Sequence, residues 1–144
     1  MSRLAAVLLA LALAACKPAA PTLDPSADPI ARAFFEEVRT GADVSGDIHV
    51  AHELKNPTSE EQLAIFRGMI PPGAPTSVET RSWKIDESPT GTTTRMMHVY
   101  HYPDANVIAQ TALFKSPSGV DPVIVGFEVS LEPADSGAAP ANSG

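Results

Sequence analysis

Four histidines and one cysteine carry most of the reactive potential of this 144-residue chain. His49 and His52 stand three apart, a spacing that sets two imidazoles on one face of a helix, where they suit zinc or copper. His98 and His101 share that spacing, but their segment has strand composition, and on a strand an odd offset sends side chains to opposite faces. No second cysteine and no H-E-x-x-H pattern completes a ligand set, so the histidines are read as surface or core-edge residues and no metal is expected. Serines are plentiful, yet none stands in a G-x-S-x-G elbow or an S-x-x-K pattern. Gly68, Gly73 and Gly91 fall at helix-end and turn positions rather than in a phosphate loop. Carboxylates are scattered, with no acid/base pair to single out. The expectation is a non-catalytic domain without a cofactor.

The lone thiol, Cys16, follows Leu13-Ala14-Ala15 and closes an uncharged apolar run that begins at Leu4, behind the basic Arg3. About a dozen apolar residues suit a secretory segment, whereas a membrane-spanning helix needs roughly twenty. The order of parts closely resembles a bacterial lipoprotein signal peptide: an aliphatic residue, two small residues, then the cysteine. That resemblance implies removal of residues 1–15 and a diacylglyceryl thioether on Cys16, with further acylation, such as palmitate, on the new amine. Two or three acyl chains hold a protein on a bilayer stably, at about 0.8 kcal/mol per buried methylene. The implied home is the bacterial cell envelope. Lys17, where an aspartate resembles an inner-membrane retention signal, points to the outer membrane, facing the periplasm.

The chain holds 10 basic and 17 acidic residues, and removing residues 1–15 takes away only Arg3, leaving a net charge of −8. Such a domain makes a poor nucleic-acid ligand, because phosphate neutralisation needs clustered Lys and Arg. It is also repelled by anionic headgroups, so any membrane attraction has to come from the acyl chains. With one cysteine no disulfide is possible, and stability rests on an apolar core. About a hundred residues between the polar ends can build one such core.

Residues 16–27, with three prolines among small residues, read as the lipidated cysteine and an extended spacer; residues 133–144, rich in Ala, Gly, Ser and Pro, read as a disordered tail. Residues 28–132 are expected to form a single α+β domain. Asp28-Pro29 predicts a helix start, Ile30, Phe34 and Val38 an apolar stripe, and Gly41 a stop. Asp47 to Lys55 admits a short second helix. Thr58-Ser59-Glu60-Glu61 matches a capping box, with Leu63, Phe66 and Ile70 behind it and Pro71-Pro72-Gly73 as terminator. Four strands follow: Thr76 to Asp86, Thr93 to Tyr102, Asn106 to Ser116 and Pro122 to Glu132. The short turns between them predict an antiparallel meander. In the last strand Val123, Val125, Phe127, Val129 and Leu131 alternate with Glu128 and Ser130, so the apolar set is expected to meet the helices.

Two or three N-terminal helices on one face of a four-stranded sheet is an order similar to small cystatin-like or NTF2-like envelope domains. The likeness lies in element order from Asp28 to Glu132 and implies a fold only. The candidate binding surface is a sheet face on which His98, Tyr100 and Tyr102 alternate, joined by Trp83 and Glu128, with Glu79, Arg81, Gln110 and Ser130 nearby. Aromatic residues among polar ones are typical of partner-binding surfaces, here for another envelope protein. The alternative for the same three aromatic positions is closure of the core. The alternative for the whole domain is a small molecule or a reaction housed in a pocket between helices and sheet.

Overall fold

The computed structural model describes residues 20–134. Two helices, α1 (Ala27–Thr40) and α2 (Pro57–Met69), precede four strands, β1 (Ser77–Ser88), β2 (Gly91–His101), β3 (Ala105–Lys115) and β4 (Val123–Pro133). The strands pair antiparallel in chain order, forming an open α+β meander. The segment expected to be a leader, Cys16, and the residues beyond Ala134 lie outside the described residues.

Helix α1 lies across one face of the sheet because its stripe is continuous: Ala27, Ile30, Ala31, Phe34, Phe35 and Val38 are all buried. Phe35 stacks on Tyr100 of β2 with ring centroids 3.5 Å apart, and Phe34 meets the edge of Phe127 on β4 at 5.0 Å. Gly41 stops the helix as the sequence predicts. It takes a left-handed φ of 77°, and the amides of Gly41 and Ala42 bond back to the carbonyls of Val38 (3.3 Å) and Glu37 (2.9 Å). The Arg67 guanidinium of α2 presses on the same turn, its Nε donating to the Val38 carbonyl at 2.9 Å. A cation at a helix C-terminus is favoured by the macrodipole, and this contact ties α2 to α1. Helix α2 itself buries no residue fully. Leu63 and Phe66 are half-buried, and Phe66 lies against Phe127.

Several local expectations need correction. Asp28 is not the N-cap: α1 starts two residues earlier behind Ser26, whose N–H and hydroxyl both donate to Asp24 (2.9 and 2.6 Å). The folded unit therefore begins before residue 28, since Leu23 packs on the core and Asp24 accepts from Lys115 at 2.6 Å. Residues assigned to the spacer belong to the domain. Asp47 to Lys55 forms only a 3₁₀ turn at His52–Leu54, because Val50 is drawn into a parallel bridge with Ile124. The capping box at Thr58 does not form. Asn56 caps instead, accepting from the Ser59 amide at 3.0 Å, with Pro57 as first helical residue, where its missing N–H has no cost.

The alternation in β4 also breaks. Ala112 pairs with Gly126 but Leu113 pairs with Ile124, leaving Val125 as an extra residue in a bulge. Ile124 thereby turns fully into the core and Val125 turns out. The expected register held Val123 and Val125 inward, but one inserted residue reverses every side chain before it. Gly91 earns its place in the β1–β2 turn twice over. Its φ is 146°, and a Cβ there would fall on the Lys115 carbonyl oxygen and within 2.7 Å of the Phe114 ring.

Candidate functional site

Pairing across the sheet sorts every side chain to one of two faces, and it divides the expected constellation. His98, Tyr100 and Tyr102 lie on the face beneath α1 and are buried. Glu128 pairs with Gln110 and Gln110 with Met97, which places Glu128 on the opposite face, exposed. Trp83 pairs with Met96 and so belongs to the helix side, where it stays 54 % exposed. The reason is a second bulge: β1 shifts register between Thr80 and Ser82, and the extra Arg81 turns Trp83 away from Glu79. The five residues therefore form no single surface.

Under α1 the buried residues build a polar knot. Asp28 Oδ1 accepts from the Thr80 hydroxyl (2.6 Å) and pairs with His98 Nε2 (2.8 Å), while Oδ2 faces Arg32 Nε at 2.7 Å. Arg32 also donates to Thr80 Oγ1 at 3.0 Å. Burial works against the Asp28 charge. The hydrogen bonds from Thr80 and His98 and the Arg32 charge outweigh it, holding the carboxyl below its ordinary value. Burial likewise pushes the Tyr100 and Tyr102 phenols up. A His–Asp pair has the geometry of a proton relay, but His98 has no solvent contact (0 % exposed), and its Nδ1 meets no partner. No substrate atom can reach it. Its chemistry here is to lock α1 onto β1 and β2.

The interior between helices and sheet leaves one apolar cleft of about 40 Å³ beside α2, lined by Phe34, Val50, Leu63, Phe66 and Phe127. That is room for a few waters, well below the roughly 300–1,000 Å³ of ligand pockets. Among the described residues no three His, Cys, Asp or Glu side chains converge as a metal site. His49 is half-buried beside β4, His52 is exposed on the 3₁₀ turn, and His98 is sealed beneath α1.

The other face carries Glu79, Met97, Val99, His101, Asn106, Ile108, Gln110, Glu128 and Ser130, and none of the described helices covers it. Arg81 on one edge strand meets Glu132 on the other at 3.1 Å, two long side chains reaching toward each other over the roughly 14 Å of three strand spacings. The pair spans β2 and β3, where Val99 and Ile108 lie buried. His101 adds a polar rim, its Nδ1 2.9 Å from Asn106 Oδ1 and its Nε2 3.7 Å from Glu79. Beyond that strap runs an open trough of about 280 Å³ over Arg95, Gln110, Ala112, Gly126 and Glu128. A smaller depression of about 130 Å³ adjoins it over Ser82, Lys84 and Met97. The floor is low because Ala112 and Gly126 are small and oppose each other across β3 and β4.

Chemically the trough offers a guanidinium, a primary amide and a carboxylate in a row, open to solvent. These can hydrogen-bond a polypeptide surface, and they enclose nothing. Arg95, Ala112 and Gly126 were not foreseen. Parity along each strand marks them, since Gly126 is two residues from Glu128 and Ala112 two from Gln110, but the pairing that sets Arg95 beside Ala112 and Ala112 beside Gly126 is not written in any one strand. No protein family model, curated protein or solved structure matches the chain.

Proposed function

We propose that this chain is a lipid-anchored protein of the bacterial cell envelope, held by acyl chains on Cys16 at the periplasmic side of the outer membrane. Its domain, with the helices gathered on one sheet face, is a non-catalytic binding module for another envelope protein, and the open face is its contact surface. The carrying observation is the contrast between the two faces. One is closed by α1 over His98, which has no solvent contact, and the other holds an uncovered trough of about 280 Å³. Leu13-Ala14-Ala15-Cys16 supports the anchoring, and Lys17 supports the outer membrane. None of the described helices is long and apolar enough to cross a membrane. The element order remains similar to cystatin-like and NTF2-like domains, a likeness that supports a fold and no activity.

Photo-crosslinkers at positions 110 and 128 in the intact envelope should trap one defined protein, and a crosslinker at exposed position 65 on α2 should not. Equal, diffuse labelling from all three positions would defeat the binding reading. Labelled palmitate should enter the native chain and not Cys16→Ser; equal incorporation would remove the anchor.

A further inference from the structure

The tether expected from Cys16 and the sheet differ in length, and that difference bears on how an anchored domain can stand. The chain joins the fold at a fixed place: Leu23 packs on the core and Asp24 clasps Lys115 at 2.6 Å, at the end of β3. The Lys115 hydrogen bond holds the Asp24 carboxyl at about 2, well under its ordinary value. Lys115 stands beside the turns Ser88-Pro89-Thr90-Gly91 and Ser116 to Pro122, which close one end of the sheet. The opposite end holds the Pro103-Asp104 turn and the end of β4.

Seven residue steps separate Cys16 from Leu23, so the covalent chain reaches at most about 25 Å. Strands of 11 and 12 residues run to about 37–40 Å. A domain whose acyl chains sit in the bilayer cannot rest on its Pro103-Asp104 end, because its attachment point would then stand beyond the reach of the tether. Two side-on poses stay within reach. They would press the exposed carboxylates Glu79 and Glu128, or Glu60 and Glu61 of α2, toward the headgroups, which is unfavourable against anionic lipid.

The attachment end differs. The two most exposed large apolar side chains of the described residues are there: Val120 at 85 % in the β3–β4 turn, and Ile48 at 80 %. The Ile124 amide bonds the His49 carbonyl at 2.7 Å, which sets Ile48 beside the start of β4. Of the charges at this end, Lys84 and Arg95 both pair with Asp86, while Glu87 and Asp121 stay exposed and keep the contact shallow.

We propose that this end, with Val120 at its tip, is the pole that rests on the lipid headgroups, so that the open sheet face stands beside the membrane rather than against it. The proposal depends on acylation of Cys16. It deepens the binding reading: a partner of the trough must lie alongside the domain, close to the bilayer.

The test uses the full acylated chain in vesicles of phosphatidylethanolamine and phosphatidylglycerol. Val120→Cys and, separately, Asp104→Cys each carry an environment-sensitive fluorophore. Both positions are exposed turns, so neither change threatens folding. The label at 120 should shift to the blue and be quenched by headgroup-region quenchers, and the label at 104 should do neither. If mass analysis shows the acyl chains in place and the label at 120 behaves like the one at 104, the orientation is overturned while anchoring stands. A response at 104 alone overturns it too. A bare thiol at position 16 removes orientation and anchor together.

Discussion

Replacing Asp28 tests whether the polar knot, rather than apolar contact alone, holds α1 on the sheet. In Asp28→Ala the His98 Nε2 loses its partner in a place water does not reach, and the Thr80 hydroxyl loses its acceptor. A buried polar group left unpaired costs about 1–3 kcal/mol. Arg32, whose side chain is about a third exposed, can turn to water, so its lost ion pair adds little. Thr80 is half-buried and its hydroxyl can turn to water. The sum therefore stays at about 2–4 kcal/mol, which lowers the melting temperature of a domain this size by roughly 8–20 °C. Asp28→Asn keeps one oxygen acceptor and should lose about half as much. The sign with pH follows from the carboxyl's lowered value. A depressed acid stabilises the fold above its unfolded value near 4, and that contribution fades as pH falls through the lower folded value. Urea unfolding of native and variant chains at pH 7 and again below pH 3 measures both effects. The gap should be wide at pH 7 and narrow in acid. A gap under about 0.5 kcal/mol at pH 7, or one that widens in acid, would refute the reasoning.

Phe35→Ala removes a ring that is fully buried and stacked on Tyr100, and should cost about 3–5 kcal/mol in the same unfolding assay. Ile65→Ala, at an exposed position on α2, should stay within about 0.5 kcal/mol. Gly91→Ala should destabilise by about 2 kcal/mol or more, since it combines an unfavourable φ with a clash on the Lys115 carbonyl, and the amides of the β1–β2 hairpin should exchange faster. Glu37 behaves opposite to Asp28: burial first, then the nearby Asp47 carboxyl, raises its value above the ordinary one. Its ionisation therefore opposes folding as pH rises through the folded value. Glu37→Gln should be more stable than the native chain at pH 7, with the gain vanishing in acid; a gain unchanged by pH would show that charge is not the cause.

Much of this molecule is local, and local features were legible from the residues alone. The α1 stripe at Ile30, Phe34 and Val38, the stop at Gly41 and the four strand spans all follow from side-chain periodicity and turn chemistry, which act over a few residues. The cap of α2 was misread for an equally local reason: Asn56 and Thr58 both qualify, and Pro57 between them settles the choice at Asn56 by favouring the first helical position.

What residues cannot announce is a change of parity. Single extra residues at Arg81 and Val125 decide which side chains share a face, and no pattern within either strand marks them. The expected grouping of His98, Tyr100, Tyr102, Trp83 and Glu128 failed on the pairing across β2, β3 and β4, which sets Glu128 on the face opposite the other four. The order of residues by itself determined which segments become helix and strand, the single thiol behind an apolar run, and the acidic balance of charge. Only the tertiary structure decided which face is closed by α1, which stays open, and that Asp28 and His98, seventy residues apart, share a hydrogen bond. The physical reason is that secondary structure answers to near neighbours, whereas a binding face is defined by register, and register is set by pairing between segments far apart along the chain.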